Sequence, residues 1–210
     1  MFHHQILPTG SFGVNCSVLW NDEAKRCWIV DPGQDADDII AFLSEKGLEP
    51  ELVVFTHAHF DHIGAMPGLL VKWPTLPVHV GPKDEPMLGN PLNSYEPEYP
   101  CVPRPATLVA DLEEGVVLSA AGISARILST PGHTPGGVCV YFETEGLLLS
   151  GDTLFAGSCG RTDFPGGSMK AMAASLHRLA TLPPQTVVVP GHGMTTTIER
   201  EVASNPFMER

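Results

Sequence analysis

Three histidines and an aspartate fall within six residues of this chain, in the run His57-Ala58-His59-Phe60-Asp61-His62. With 9 histidines in 210 residues, an H-x-H-x-D-H run arises by chance on the order of once in a thousand such chains. A chemical role is therefore a better account than a solvated turn, and a histidine tag would be unspaced and terminal. Residues i and i+2 of an extended segment point the same way, so His57 and His59 can reach one ion together. Asp61 and His62 lie past the turn and can face a second ion beside it. Neutral imidazole and carboxylate are ligands for zinc, iron or manganese.

Two ions need further ligands, and three more segments offer them. Ser129-Thr130-Pro131-Gly132-His133-Thr134, Leu149-Ser150-Gly151-Asp152-Thr153 and Pro190-Gly191-His192-Gly193 each place a histidine or aspartate just after a strand-like run, beside glycine. Glycine lets the backbone turn sharply there. Any one of them alone reads as a turn residue. Together with residues 57–62 they make a full two-metal set.

The elements that must carry these groups are short. Strand-like runs occur at residues 15–20, 27–30, 51–55, 78–80, 116–118, 123–128, 138–142, 147–149 and 186–189, and the opening residues 1–8 read as a first strand. Helical spacing marks residues 35–46, stopped by Gly47, and residues 168–179; a short helix is expected from about His62 toward Leu70. Residues 81–105 hold seven prolines and little periodicity, which predicts a surface loop near the site. The two halves resemble one another loosely, each with strands, then a helix, then a strand. The pattern predicts an α/β fold of two mixed sheets in a sandwich with helices on the outer faces, with no linker dividing residues 1–210.

With this ligand set in this order, the sequence resembles the metallo-β-lactamase superfamily, from Val30-Asp31-Pro32-Gly33 to His192. The resemblance implies an αββα sandwich. It implies that His57, His59 and His133 hold the first metal, that Asp61, His62 and His192 hold the second, and that Asp152 bridges both. It further implies that Asp61 orients the nucleophile, a bridging water that two divalent ions bring toward neutral pKa. The resulting hydroxide would attack a carbonyl carbon, with an ion stabilising the oxyanion. Zinc is the expected metal, with iron and manganese open to the same ligands.

The aspartate at 152 points away from true β-lactamases and toward thioesterases, lactonases and persulfide dioxygenases. The run from Gly151 to Gly167 resembles the glyoxalase II group, which hydrolyses S-D-lactoylglutathione, and Arg161 stands where a basic residue of that group contacts the anionic thiol portion. A structural ion pair of Arg161 with Asp163 or Asp152 is the other reading of that arginine. The chain carries Asp163 where that group has an aromatic residue, and no helical domain follows His192; residues 195–210 read as a short tail. The short, single-domain glyoxalase II-like subgroup is the nearer match, with a small-molecule thioester, glutathione-derived or related, as substrate.

A mononuclear iron persulfide dioxygenase, using His57, His133 and Asp152, is the rival enzyme reading. A non-catalytic metal-stabilised binding module is the rival of another class, although seven ligands for two ions leave room for water and substrate, unlike a closed structural site. A net charge of −12 disfavours a nucleic-acid partner, and no apolar run reaches membrane-spanning length. Cys16, Cys27, Cys101, Cys139 and Cys159 are odd in number and lack a C-x-x-C, so reduced thiols and a cytoplasmic setting are expected. His79 and His177 read as structural or solvated, Cys159 has no histidine near it in sequence to activate it and is not read as a nucleophile, and Tyr95, Tyr99 and Phe164 are candidates to line a pocket.

Overall fold

Successive residues of a strand face opposite sides of its sheet, and that alternation sorts the apolar residues of this chain into three layers. The computed structural model describes residues 1–90 and 101–208. The first sheet runs β1 (Phe2–Thr9), β2 (Val14–Asn21), β3 (Arg26–Val30), β4 (Glu49–Val54), β5 (Val78–His79) and β6 (Leu108–Val109) in that spatial order. Its first three strands are antiparallel and the rest parallel. The second sheet combines β7 (Val117–Ala120), β8 (Ile123–Ser129), β9 (Val138–Phe142), β10 (Leu147–Gly151), β13 (Val187–Pro190) and β14 (Thr196–Thr197) in the order β14-β13-β10-β9-β8-β7. A two-stranded hairpin, β11 (Leu154–Phe155) and β12 (Ser158–Cys159), stands beside it.

Parallel neighbours need a crossover. Helix α1 (Ala36–Lys46) crosses between β3 and β4, and helix α4 (Met169–Leu179) lies between β10 and β13. The similarity expected between the halves is thus realised in these two units. Cys27, Ile29 and Val53 face Ile39 and Leu43 of α1. Their neighbours Trp28, Val30 and Val54 face Ile127, Val140, Phe142 and Leu149 between the sheets. Cys139, Tyr141 and Leu148 point outward beneath Met172, Leu176 and Leu179 of α4. The layering is α-β-β-α. Each large side chain buried in these layers contributes roughly 1.5–3 kcal/mol. The buried Trp28 ring packs 5.6 Å from that of Phe142, and its indole N–H donates to the Ala120 carbonyl at 3.0 Å.

The structure refines several expected elements. Helix α1 ends as anticipated at Gly47, which takes a left-handed φ of 65°. The helix expected from His62 toward Leu70 is instead two, α2 (Phe60–Ile63) and α3 (Met66–Lys72). The break falls at Gly64, which lies so close to the Gly33 carbonyl that a Cβ would overlap it. Pro67 sits in the first turn of α3, where its missing N–H costs nothing. Residues 195–210, expected as a tail, carry β14 and helix α5 (Ile198–Ser204). Part of the proline-rich loop, with Tyr95 and Tyr99, lies outside the described residues. Among the described residues no helix is long and apolar enough to cross a membrane.

Candidate metal centre

The chain leaves β4 in extended form, which sends His57 and His59 toward a common point; His59 then caps α2, whose first turn presents Asp61 and His62. These four come from the first sheet. The second sheet supplies His133 between β8 and β9, Asp152 just after β10 and His192 just after β13. All seven sequence-predicted residues converge on one edge of the sandwich. His57, His59 and His133 form one group of potential ligand atoms, Asp61, His62 and His192 another, and His57, His62 and Asp152 a third that overlaps both. Asp152 stands between them, with Oδ2 3.5 Å from His133 Nε2 and Oδ1 3.4 Å from His62 Nε2.

Hydrogen bonds on the outer side of each ring decide which nitrogen faces inward. His133 Nδ1 lies 2.7 Å from the Arg161 carbonyl, and His192 Nδ1 lies 3.0 Å from the Phe12 carbonyl. A carbonyl only accepts, so both rings carry their proton on Nδ1 and turn an Nε2 lone pair inward. His62 Nδ1 donates to Asp31 Oδ2 at 3.0 Å. The Thr56 hydroxyl donates to the same Oδ2 at 2.6 Å and can then accept from His57 Nδ1 at 3.2 Å. Asp31 therefore orients two of the rings, in the manner of the outer carboxylates that steer metal-binding histidines.

With the rings oriented in this way, their inward nitrogens crowd together. His62 Nε2 and His192 Nε2 are 3.2 Å apart, and His133 Nε2 is 2.8 Å from His59 Nδ1. His57 Nε2 and Asp152 Oδ1 are buried with no hydrogen-bond partner. Orphaned acceptors are costly in a low-dielectric interior. A cation between them removes both the repulsion and the deficit, so the donor set fits divalent metal. Nitrogen and carboxylate donors suit zinc, iron or manganese alike.

The protonation tendencies differ between the two trios. Burial, reinforced by the surrounding imidazoles, holds His57 well below the usual histidine range. Burial with His133 beside it takes His59 down to about 3. Both stay neutral, the form that binds metal. Burial opposes charge on His62 as well, but the carboxylates of Asp152, Asp61 and Asp31 outweigh it and raise that ring well above the ordinary value. Burial would also raise Asp152, yet His62, His133 and His192 hold it far below the usual carboxylate range. The pocket is one that calls for positive charge.

Arg161, expected to contact substrate, is exposed and pairs with its neighbour Asp163. Its Nε and Nη2 each donate to Asp163 at 2.7 Å, and the guanidinium lies 4.0 Å over the Phe164 ring. The alternative reading, a structural pair with Asp163, is the arrangement found. What Arg161 gives the centre is its backbone carbonyl, the acceptor for His133. Phe164 is set at the rim, its ring edge-on to His59 and His133 at 5.6 and 6.0 Å. His79 bonds Asp111 at 2.8 Å, away from the centre. Burial raises the Cys159 thiol, which agrees with its reading as a non-nucleophile, and all five cysteines are free.

Two residues of the site escaped the sequence reading as partners: Asp31, and Asp84 from the proline-rich loop. Asp84 is fully buried and accepts from Thr134 Oγ1 at 2.7 Å, the Gly136 amide at 2.6 Å and the Ala58 amide at 3.3 Å. The only sequence hint for Asp31 is the strand-ending Val-Asp-Pro-Gly; for Asp84 there is none.

Comparison with known proteins gives a consistent picture. A sequence profile described as the Metallo-beta-lactamase superfamily matches residues 9–192. Hydroxyacylglutathione hydrolase GloC of Haemophilus influenzae is 34% identical over 208 residues, covering 97% of this chain and 97% of that protein. The crystal structure of TTHA1623 in a di-iron-bound form is 37% identical with a TM-score of 0.84, covering 97% of this chain and 99% of the other. BLEG-1, described as a B3 metallo-beta-lactamase, is 37% identical with a TM-score of 0.87 over 99% of each chain. The fold, with its two mixed sheets between helices, is that of these structures.

Proposed function

The chain belongs to the metallo-β-lactamase superfamily, and from that premise we propose that it is a binuclear metal-dependent thioesterase of the glyoxalase II type. The carrying observation is the convergence of two ligand trios with Asp152 between them. In this reading His57, His59 and His133 hold one ion, Asp61, His62 and His192 the other, and Asp152 reaches both. Two divalent ions, when bound, would supply a water acidified toward neutral pH and an electrophilic contact for the substrate carbonyl.

The chain's own groups do the rest. The outer hydrogen bonds of His57, His62, His133 and His192 hold each Nδ1–H outward and aim Nε2 at the centre. Asp61 Oδ2, 3.3 Å from His192 Nε2, is placed to hold the proton side of an attacking water. Phe164 gives the rim an apolar wall against which a thioester can lie. Similarity to a hydroxyacylglutathione hydrolase over nearly the whole length supports an acyl thioester as substrate, S-D-lactoylglutathione or a relative of it. Zinc is the ion we assign first; likeness to a di-iron-bound structure makes iron the direct competitor. The net charge of −12 supports a small-molecule substrate over nucleic acid, and we place the enzyme in the cytoplasm.

A second reading, β-lactam hydrolysis, is favoured by the likeness to BLEG-1 and disfavoured by the aspartate at 152. The test is metal analysis of protein expressed without supplementation, paired with a substrate panel. S-D-lactoylglutathione, a simple acyl thioester, a chromogenic cephalosporin and glutathione persulfide under an oxygen electrode would form that panel. Two ions per chain with thioester cleavage is the expected result. A single iron per chain, oxygen uptake with the persulfide and no thioester cleavage would overturn it in favour of the dioxygenase.

A further inference from the structure

Among the described residues of the proline-rich loop, Asp84 meets the loops that carry the candidate ligands. Asp84 is a fully buried carboxylate with no ion-pair partner among the described residues. Such a group is costly unless hydrogen bonds replace its water, and here both oxygens are engaged. Oδ1 accepts from the Gly136 amide at 2.6 Å. Oδ2 accepts from the Thr134 hydroxyl at 2.7 Å and the Ala58 amide at 3.3 Å. Ala58 lies between His57 and His59, and Thr134 follows His133.

The approach is built in on both sides. A Cβ on Gly136 would run into Asp84, and one on Gly81 would overlap the Gly136 carbonyl. Two glycines thus let the 81–84 turn dock backbone to backbone on the 134–137 loop, with the Asp84 amide held by the Gly81 carbonyl at 2.9 Å. One carboxylate then spans the first-sheet loop that carries His57 and His59 and the second-sheet loop that carries His133.

We propose that Asp84 is a positioning residue that fixes the spacing of His57, His59 and His133 for the first ion. The assignment rests on the two-ion reading above. An apolar residue would pack as well at this buried point, but it would not tie the two loops together. Asp61, His62 and His192 receive none of its bonds, so its effect falls on one ion.

The experiment compares wild type, Asp84→Asn and Thr134→Val by chelator competition with Zn²⁺ and with Co²⁺. The melting temperature of each metal-free protein is measured alongside. The Asn side chain keeps one acceptor oxygen, so either the Gly136 bond or the Thr134 and Ala58 bonds are lost and the clasp is weakened. The expected result is two ions on wild type and, in Asp84→Asn, an affinity for one ion lowered by about tenfold to a hundredfold with the other retained. Thr134→Val, which removes one of three donors, shows a smaller loss on the same ion and decides the question should Asp84→Asn not fold. Variants that melt lower yet bind both ions as wild type does would overturn the assignment. Wild-type protein that holds fewer than two ions would instead overturn the two-ion reading itself.

Discussion

At the residue scale, most of the candidate site was legible because its seven groups follow strand ends, directly or, for Asp61 and His62, in the helix α2 that comes next, and residue type and spacing alone suggest a ligand there. Asp31 and Asp84 were not legible as partners. They act through contacts 25 and 26 residues away along the chain, Asp31 on Thr56 and Asp84 on Ala58, and nothing in local spacing encodes that. The same limit applies to His4, a strand residue that carried no signal. Its ring is largely buried beside Ser17, 3.0 Å from the hydroxyl, and burial lowers it to about 4. The unfolded chain takes up this proton near pH 6.5, the folded chain only near pH 4. Stability tied to His4 is therefore complete above pH 6.5 and drains away as the pH falls toward 4. His4→Gln removes that loss. In urea unfolding of the two metal-loaded proteins, wild type should lose about 1–2 kcal/mol more than His4→Gln between pH 7 and pH 4, after allowance for partial solvent screening. Parallel pH curves for the two proteins would contradict the assignment.

At the scale of elements, the longer strands and helices followed from apolar periodicity because each is buried on a defined face. Of the two-residue strands, only β5 was anticipated, within the run at 78–80. β11, β12 and β14 have two residues each, too few to show any period, and they form because tertiary partners capture their backbones. Glu201 of α5 is such a partner. It is fully buried and accepts from the Thr196 hydroxyl at 2.6 Å, the Asn205 amide at 2.8 Å and, across to the hairpin, the Gly157 amide at 2.7 Å. Asn205 extends the latch to the Ser158 carbonyl at 2.9 Å. The segment read as a tail is thus the support of the β11–β12 hairpin, which leads directly to Arg161 and its bond to His133. Glu201→Ala leaves these donors facing a cavity and should cost roughly 1–3 kcal/mol for each group left unsatisfied. Denaturant unfolding measures the total, and faster amide exchange at Gly157 than in the β8–β9 pair would locate the damage in the hairpin. A stability within about 0.5 kcal/mol of wild type, the range of an ordinary surface substitution, would show that the latch is dispensable.

At the scale of the whole molecule, the candidate centre lies where the two sheets meet, and its ligands are divided between them. Residues 57–62 follow β4 of the first sheet; His133, Asp152 and His192 belong to the second. Ions held there would join the sheets at that edge. The protein also has a metal-independent seam in the same place. The Val138 amide donates to the Thr56 carbonyl at 2.8 Å and the Asn15 amide to the Gly191 carbonyl at 2.8 Å, while the Asn15 side chain donates to the carbonyls of Pro190 and Gly193 at 2.9 and 3.0 Å. Because the apolar layer between the sheets does not depend on the ions either, chelation should leave a folded but weakened protein. An ion at a thousandfold excess over its dissociation constant adds about 4 kcal/mol, and a chain of this size shifts by about 2–4 °C per kcal/mol. Removing one such ion should therefore lower the melting temperature by roughly 8–16 °C, with far-ultraviolet circular dichroism at 25 °C preserved. Chelated protein that melts at the wild-type temperature after proven metal loss would mean that the ions do not staple the sheets. Protein that unfolds outright at 25 °C would mean that the backbone seam and the apolar layer cannot hold the sandwich alone.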